Sequence, residues 1–198
     1  MRIPYVPNPP KPADETEAAI VQRIEARRAP RPLQPLDLAL LHSPPVADGW
    51  NSFLGAVRTK TTIPDDIREI AISRVAVVNR AWYEWMHHAP LAVKGGVSEA
   101  GLGTVKHVGP LGVAQGPAGE VGVSTRPETL DERQWAALVY ADEMTRNVEV
   151  RQETFDALKA LFSEKEVVEI TATVSYRLET CCEDTESHGC YRSPATIA

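Results

Sequence analysis

Cysteine is scarce in this chain of 198 residues: there are three, Cys181, Cys182 and Cys190. An odd, clustered set makes a poor disulfide framework, so a reducing, cytoplasmic compartment is the expectation. Long hydrophobic runs are missing too. No apolar stretch approaches the roughly 18 residues that a membrane span requires, so no membrane partner is expected. The opening residues, MRIPYVPNPPKPADETE, lack the apolar centre of a secretory signal. Positive charge is not in excess. Lys and Arg number 21 against 27 Asp and Glu, a net charge of −6, which argues against nucleic acid or an anionic membrane as partner. There is no Gly-rich phosphate loop, no nucleophile elbow and no helical Cys-x-x-Cys, and no cofactor is expected. Nor is there a β-hairpin signal, a strand–helix alternation or an internal repeat.

What is present is helical rhythm. Residues 1–12 hold five prolines and form an extended arm, either disordered or laid on a neighbour. From Asp14 the pattern changes. Asp14 or Thr16 can cap a helix whose stripe is Ala18, Ala19, Ile20, Val21 and Ile24, and Pro30 stops it. A short helix to about His42 and a second through Trp50, Phe53, Leu54 and Val57 flank the break Ser43-Pro44-Pro45. In TIPDDIREIAISRVAVVNRAWYEW, Pro64 suits the first helical position, and Asp65, Asp66 and Glu69 favour the positive N-terminal end. That helix is apolar nearly all round, which predicts a buried central helix on which Glu69 stands out. A further helix runs from about Trp82 to Lys94 with Pro90 kinking it, and Ser98 starts another. Residues 109–130, with five glycines and three prolines, read as a long surface loop, a lid or an interface arm. Asp131 then caps a helix, and two more amphipathic helices follow. These readings give an all-α bundle of six to eight helices: an arm at 1–12, one domain at 13–176, and a polar, frayed tail at 177–198.

Chemistry concentrates in AWYEWMHHAP, residues 81–90. Residues three and four apart share a helix face, so Glu84 lies beside both His87 and His88. Carboxylate contact raises a histidine pKa and burial lowers it, which tunes the pair for acid–base work. Glu69, on the preceding helix, is a second carboxyl able to orient it. The plainer alternative has His87 and His88 at the surface and Trp82 and Trp85 in the core. Glu84 and His87 also match the Glu-x-x-His spacing of di-iron bundles. Those sites need a second such motif and two more glutamates, and no second motif exists, so no metal is expected. Cys181, Cys182, His188 and Cys190 lack a standard zinc spacing.

Three stretches in combination resemble the carboxymuconolactone decarboxylase family, within the alkylhydroperoxidase-D-like fold. They are LLHSPPVADGWNSFLGAVRTKTTIPDDIREIAISRVAVVNRAWYEWMHHAPLAVKGGVSE, QWAALVYADEMTRNVEV and TFDALKALFSEKEVVEITATVSY. The resemblance runs from about Leu40 to Tyr176. It implies an all-α fold that assembles as trimers or hexamers, with the site between helices near a subunit interface. In the family's peroxidase branch a Cys-x-x-Cys-x-x-x-His follows a glutamate on the previous helix. Counted back from His88, the two cysteine positions fall on Ala81 and Glu84, the position that is often histidine falls on Tyr83, and the glutamate falls on Glu69. Both thiols are missing, so dithiol peroxide reduction is unavailable there. What survives is Glu69, Glu84 and His88.

The implied activity is that of a cofactor-free, decarboxylase-like lyase on a small carboxylated lactone or ring compound. His88 paired to Glu84 is the expected proton donor and Glu69 its orienter. Arg74 or Arg80 would hold a substrate anion, or make only a salt bridge, and Tyr83, Trp85 and His87 would line the substrate. The tail departs from the family: its last helix normally continues as an apolar segment, and here the chain turns into YRLETCCEDTESHGC. Two other readings compete. One is a non-catalytic oligomeric protein that binds a small ligand, and the other an antioxidant that uses the tail thiols.

Overall fold

The computed structural model describes residues 3–109, 111 and 125–184, with side chains described as far as Tyr176. Among the described residues there are nine helices and no strand. The all-α expectation holds, with one helix more than the upper count. The nine correspond to the segments read one by one along the sequence.

The chain forms two compact units, residues 1–61 and 62–182. The first holds α1 (Glu15–Arg28), α2 (Pro35–Leu40) and α3 (Pro44–Thr59). Asp14 is the cap of α1, its side chain accepting from the Glu17 amide at 2.9 Å. Ile20, Val21, Ile24, Leu33, Leu41 and Ala47 form the core of this unit. Asp37 is buried in α2, where it accepts from Arg28 Nη2 at 2.8 Å and from the Gln34 amide at 2.7 Å. The proline arm is irregular over its described residues and lies on its own unit. The Val6 amide donates to Leu38 O at 3.4 Å, and His42 Nε2 donates to Pro4 O at 2.6 Å.

The second unit is built round α4 (Asp65–Val78). With it are α5 (Trp82–Lys94), α6 (Glu99–His107), α7 (Glu132–Asn147), α8 (Gln152–Leu161) and α9 (Glu164–Asp184). Pro64 sits at the N-cap of α4, one place before the expected position. As its composition predicts, α4 is buried on nearly every side. Ile67 shares a core cluster with Ala137, Leu158 and Ile170, Ile70 one with Ala92, Val105 and Leu138, and Ala71 and Val75 one with Ala141 and Val174. Each such isoleucine contributes about 1.5–3 kcal/mol through burial. Asp131 caps α7 by accepting from the Gln134 amide at 2.8 Å. Two adjacent acids on α7 are fully buried and fully engaged. Asp142 pairs with Arg74 of α4, while Glu143 accepts from the Arg151 amide at 3.0 Å and from Thr154 Oγ1 at 2.8 Å, fixing the start of α8. Of the expected loop at 109–130, residues 110 and 112–124 lie outside the described residues. α9 continues beyond Tyr176 to Asp184. The apolar rhythm fades there, but no proline or glycine interrupts the helix before Gly189. Residues 185–198, and the side chains of Cys181 and Cys182, lie outside the described part, and with them the thiol reading.

Candidate active site

α4 and α5 are joined by a three-residue bend, residues 79–81. The bend is closed by the Ala81 amide donating to Ala76 O at 2.8 Å. Arg80 adopts φ 58°, the left-handed region rarely used by residues other than glycine. The hairpin sets the start of α5 against the later turns of α4, and this brings together side chains far apart in sequence.

Glu69, Glu84 and His88 converge. They are 5%, 7% and 3% exposed respectively. His88 Nδ1 donates to Glu69 Oε2 at 2.6 Å, the short distance of a charge-assisted bond. His88 Nε2 lies 3.4 Å from Glu84 Oε2. One imidazole therefore stands between two carboxyl groups, one on each ring nitrogen. Burying such groups singly would cost several kcal/mol, so the cluster is tolerable only as a mutually satisfied set. The Glu69 carboxylate fixes the ring's orientation, while the second nitrogen faces another carboxyl group.

The other expected site residues divide. His87 is exposed, its Nδ1 2.8 Å from Tyr83 O and its ring 4.3 Å from the Tyr83 ring. The adjacent histidines therefore part: one enters the cluster and the other joins Tyr83 on the outer side of α5. Glu84 and His87, despite the metal-like spacing, point apart. Among the described residues no group of three or more His, Cys, Asp or Glu side chains is arranged to hold a metal ion. Trp85 is half-buried, packed against core residues of α4 and α6 with Lys106 Nζ 5.7 Å from its ring. Trp82 is not core: it stands partly exposed at the edge of α5.

Arg74 takes the salt-bridge alternative. It is fully buried. Nε donates to Asp142 Oδ1 at 2.7 Å, Nη1 to Val105 O at 2.8 Å, and Nη2 to Val108 O and Gly109 O at 3.0 and 3.1 Å. Every nitrogen is engaged, so none is left for a substrate anion. Burial pushes its pKa down, opposed by the Asp142 carboxylate. Arg80 is exposed at the bend.

Two residues near the cluster escaped the sequence reading. Arg68 places Nε 3.4 Å from Glu69 Oε1, the carboxylate oxygen not used by His88. The sequence reading gave it no role. Ser73 lies one turn after Glu69 on the same face of α4, wholly buried, and its Oγ has no hydrogen-bond partner among the described residues. Its spacing from Glu69, i and i+4, was the available signal.

Residues 44–108 match the profile of the carboxymuconolactone decarboxylase family. The fold is alkylhydroperoxidase-D-like. One similar structure is a protein of unknown function from Agrobacterium tumefaciens, described as a candidate antioxidant defence protein AhpD. It is 18% identical, with 79% of this chain and 94% of that chain covered and a TM-score of 0.55. A second is the debrominase Bmp8 in complex with 2,3,4-tribromopyrrole, in a cysteine-to-alanine variant. It is 16% identical, with 88% and 86% covered and a TM-score of 0.60. The apo form of that debrominase gives a TM-score of 0.58 at 16% identity, with 86% and 82% covered. Identities this low carry the fold and no more. Among curated proteins none matches the chain.

Proposed function

We propose that the protein is a cofactor-free lyase of decarboxylase type, acting by acid–base chemistry on a small carboxylated lactone or related ring compound. The observation that carries this reading is the buried Glu69–His88–Glu84 set, with His88 Nδ1 2.6 Å from Glu69 and Nε2 3.4 Å from Glu84. Decarboxylation breaks the bond between a ring carbon and its carboxylate carbon. The electron pair moves into the conjugated lactone carbonyl, carbon dioxide leaves, and a dienolate remains. Protonated His88, stabilised by Glu69, gives the dienolate a proton at carbon from Nε2. Glu84 beside Nε2 passes in the replacement from solvent, so each turnover consumes one proton. Positions that carry thiols in the peroxidase branch hold Ala81 and Glu84, which supports proton transfer over dithiol chemistry. The ring bound by the debrominase supports a small cyclic occupant. The exposed side of α5, with Trp82, Tyr83, Met86 and Leu91, supports assembly into a trimer or hexamer.

The test is carbon dioxide release from carboxylated butenolides. Wild type turns over, and His88→Ala and Glu84→Gln each lose about 10²-fold or more while keeping the helical circular dichroism of wild type. A chain that gains melting temperature with these compounds but releases no carbon dioxide is a binding protein, and the lyase reading fails.

A further inference from the structure

Acid–base work gives one carboxyl group two states to occupy. Glu84 must hold a proton for His88 Nε2, and it must stand as a carboxylate once that proton has gone, in a place only 7% exposed. A buried carboxylate is costly unless a donor meets it. Arg74 cannot be that donor, because every one of its nitrogens is engaged elsewhere. We propose that Ser73 is a positioning residue of the relay, whose hydroxyl takes the Glu84 carboxylate when that group has given up its proton.

The hairpin of α4 and α5 sets the two residues against each other. At its closed end the Ala81 amide donates to Ala76 O at 2.8 Å, and further along His88 Nδ1 donates to Glu69 Oε2 at 2.6 Å. Between these two rungs Ser73 stands four residues after Glu69 and three before Ala76. Glu84 stands four residues before His88 and three after Ala81. Residues at these spacings share one helix face, so in antiparallel helices Ser73 and Glu84 form the rung between the other two. Ser73 is wholly buried, and its Oγ has no hydrogen-bond partner among the described residues. Packing alone does not account for a serine there. The next rung is filled by two alanines, and alanine at 73 would leave no hydroxyl to satisfy.

A hydroxyl suits a partner that changes its protonation state, because it can donate to a carboxylate and accept from a carboxylic acid. At rest Glu84 Oε2 lies 3.4 Å from His88 Nε2 and the Ser73 hydroxyl waits unpaired. When the Glu84 O–H bond breaks, its proton goes to Nε2 and the electron pair stays on the carboxylate. The Ser73 O–H then turns to donate to that carboxylate. A solvent proton restores the acid, and Ser73 keeps its own proton throughout. A charge-assisted bond made only in the ionised state stabilises that state over the resting one.

This inference rests on the proton-transfer role given to Glu84 above, and its test needs neither substrate nor turnover. The readout is nitrogen NMR of the full chain labelled in its histidine rings, with the His88 signals assigned by their loss in His88→Gln. Ser73→Ala lowers the midpoint of the His88 titration by about one pH unit, because a Glu84 carboxylate without its donor is less favoured and supports the imidazolium less. Ser73→Thr, which keeps a hydroxyl, keeps most of the wild-type value. In the Glu84→Gln background Ser73→Ala moves the midpoint no further, since the amide has no charged state to support. The other charged groups round the pair are Glu69 and Arg68 of α4 and Lys106 of α6, and they are common to all these proteins. An unchanged midpoint in Ser73→Ala overturns the assignment. So does a shift of equal size in the Glu84→Gln background, the mark of a packing change felt by His88 alone, and so does a His88 ring that titrates in none of the proteins. If the Glu84-dependent shift is present but no carboxylated lactone releases carbon dioxide, the pairing of Ser73 with Glu84 stands and the lyase reading falls.

Discussion

Ser73 shows how one side chain can separate folding from function. A buried serine on a helix normally returns its hydroxyl to the carbonyl four residues back, and here Oγ has no partner among the described residues. An orphaned buried hydroxyl costs about 1–3 kcal/mol of desolvation. Ser73→Ala removes that cost and very little volume. Its melting temperature is expected to rise by roughly 2–4 °C, the shift of about 1 kcal/mol in a chain of this size. A fall of that size in a thermal scan means the hydroxyl is bonded after all, and the site then has one fewer polar group to offer. The sequence was informative on pairs within one helix and silent on pairs between helices. Glu84 and His88 are neighbours by spacing alone. Glu69 stood out as a carboxyl on a buried helix, but its contact with His88 was not legible, because nothing in helical periodicity says which turn of α4 meets which turn of α5. Arg74 was legible as a charge on a buried helix, but its partner Asp142 is 68 residues away. Only packing decides that a buried cation pairs inward rather than binding substrate.

Elements were more legible than residues, because caps and breaks are local. Asp14, Ser98 and Asp131 all cap the helices that their sequence context announces. The start of α9 has the same logic with a titratable partner. The Ser163 amide and Oγ both donate to Glu166 Oε2 at 2.8 Å, and the Glu166 amide returns to Ser163 Oγ at 3.3 Å. Those bonds, the backbone one foremost, followed by Ser163 Oγ and then Arg133, hold the Glu166 pKa below the ordinary glutamate range. A carboxylate depressed in the folded state adds stability that is complete above its unfolded pKa. That stability is lost as pH falls through the folded value. Ser163→Ala is therefore expected to cost about 1 kcal/mol near neutrality. Denaturant titrations should show the gap from wild type closing as the pH is taken below the ordinary glutamate range. A gap constant with pH places the loss in the serine alone and removes Glu166 from the cap. Where α9 ends was not legible, since residues 177–184 combine polar character with adequate helix propensity and only the apolar rhythm had been followed.

At the scale of the whole molecule, one helix carries both the chemistry and a surface that water does not favour. The inner side of α5 presents Glu84 and His88. Its outer side leaves Met86 63% exposed, with Trp82 and Tyr83 partly exposed beside it. Exposed apolar side chains of this size are a common feature of association surfaces. The expected state in solution is a trimer or hexamer of the 21.7 kDa chain, measured by light scattering at micromolar concentration. Met86→Glu places a charge at the centre of that surface and is expected to shift the mass toward one chain. His88 and Glu69 stay in place, because Met86 lies on the opposite side of α5. If the wild-type mass is already that of one chain, the exposed side of α5 is not a contact between copies. If Met86→Glu leaves a large assembly intact, the contact lies elsewhere on the molecule. If the mass falls and carbon dioxide release falls with it, the second copy completes the site.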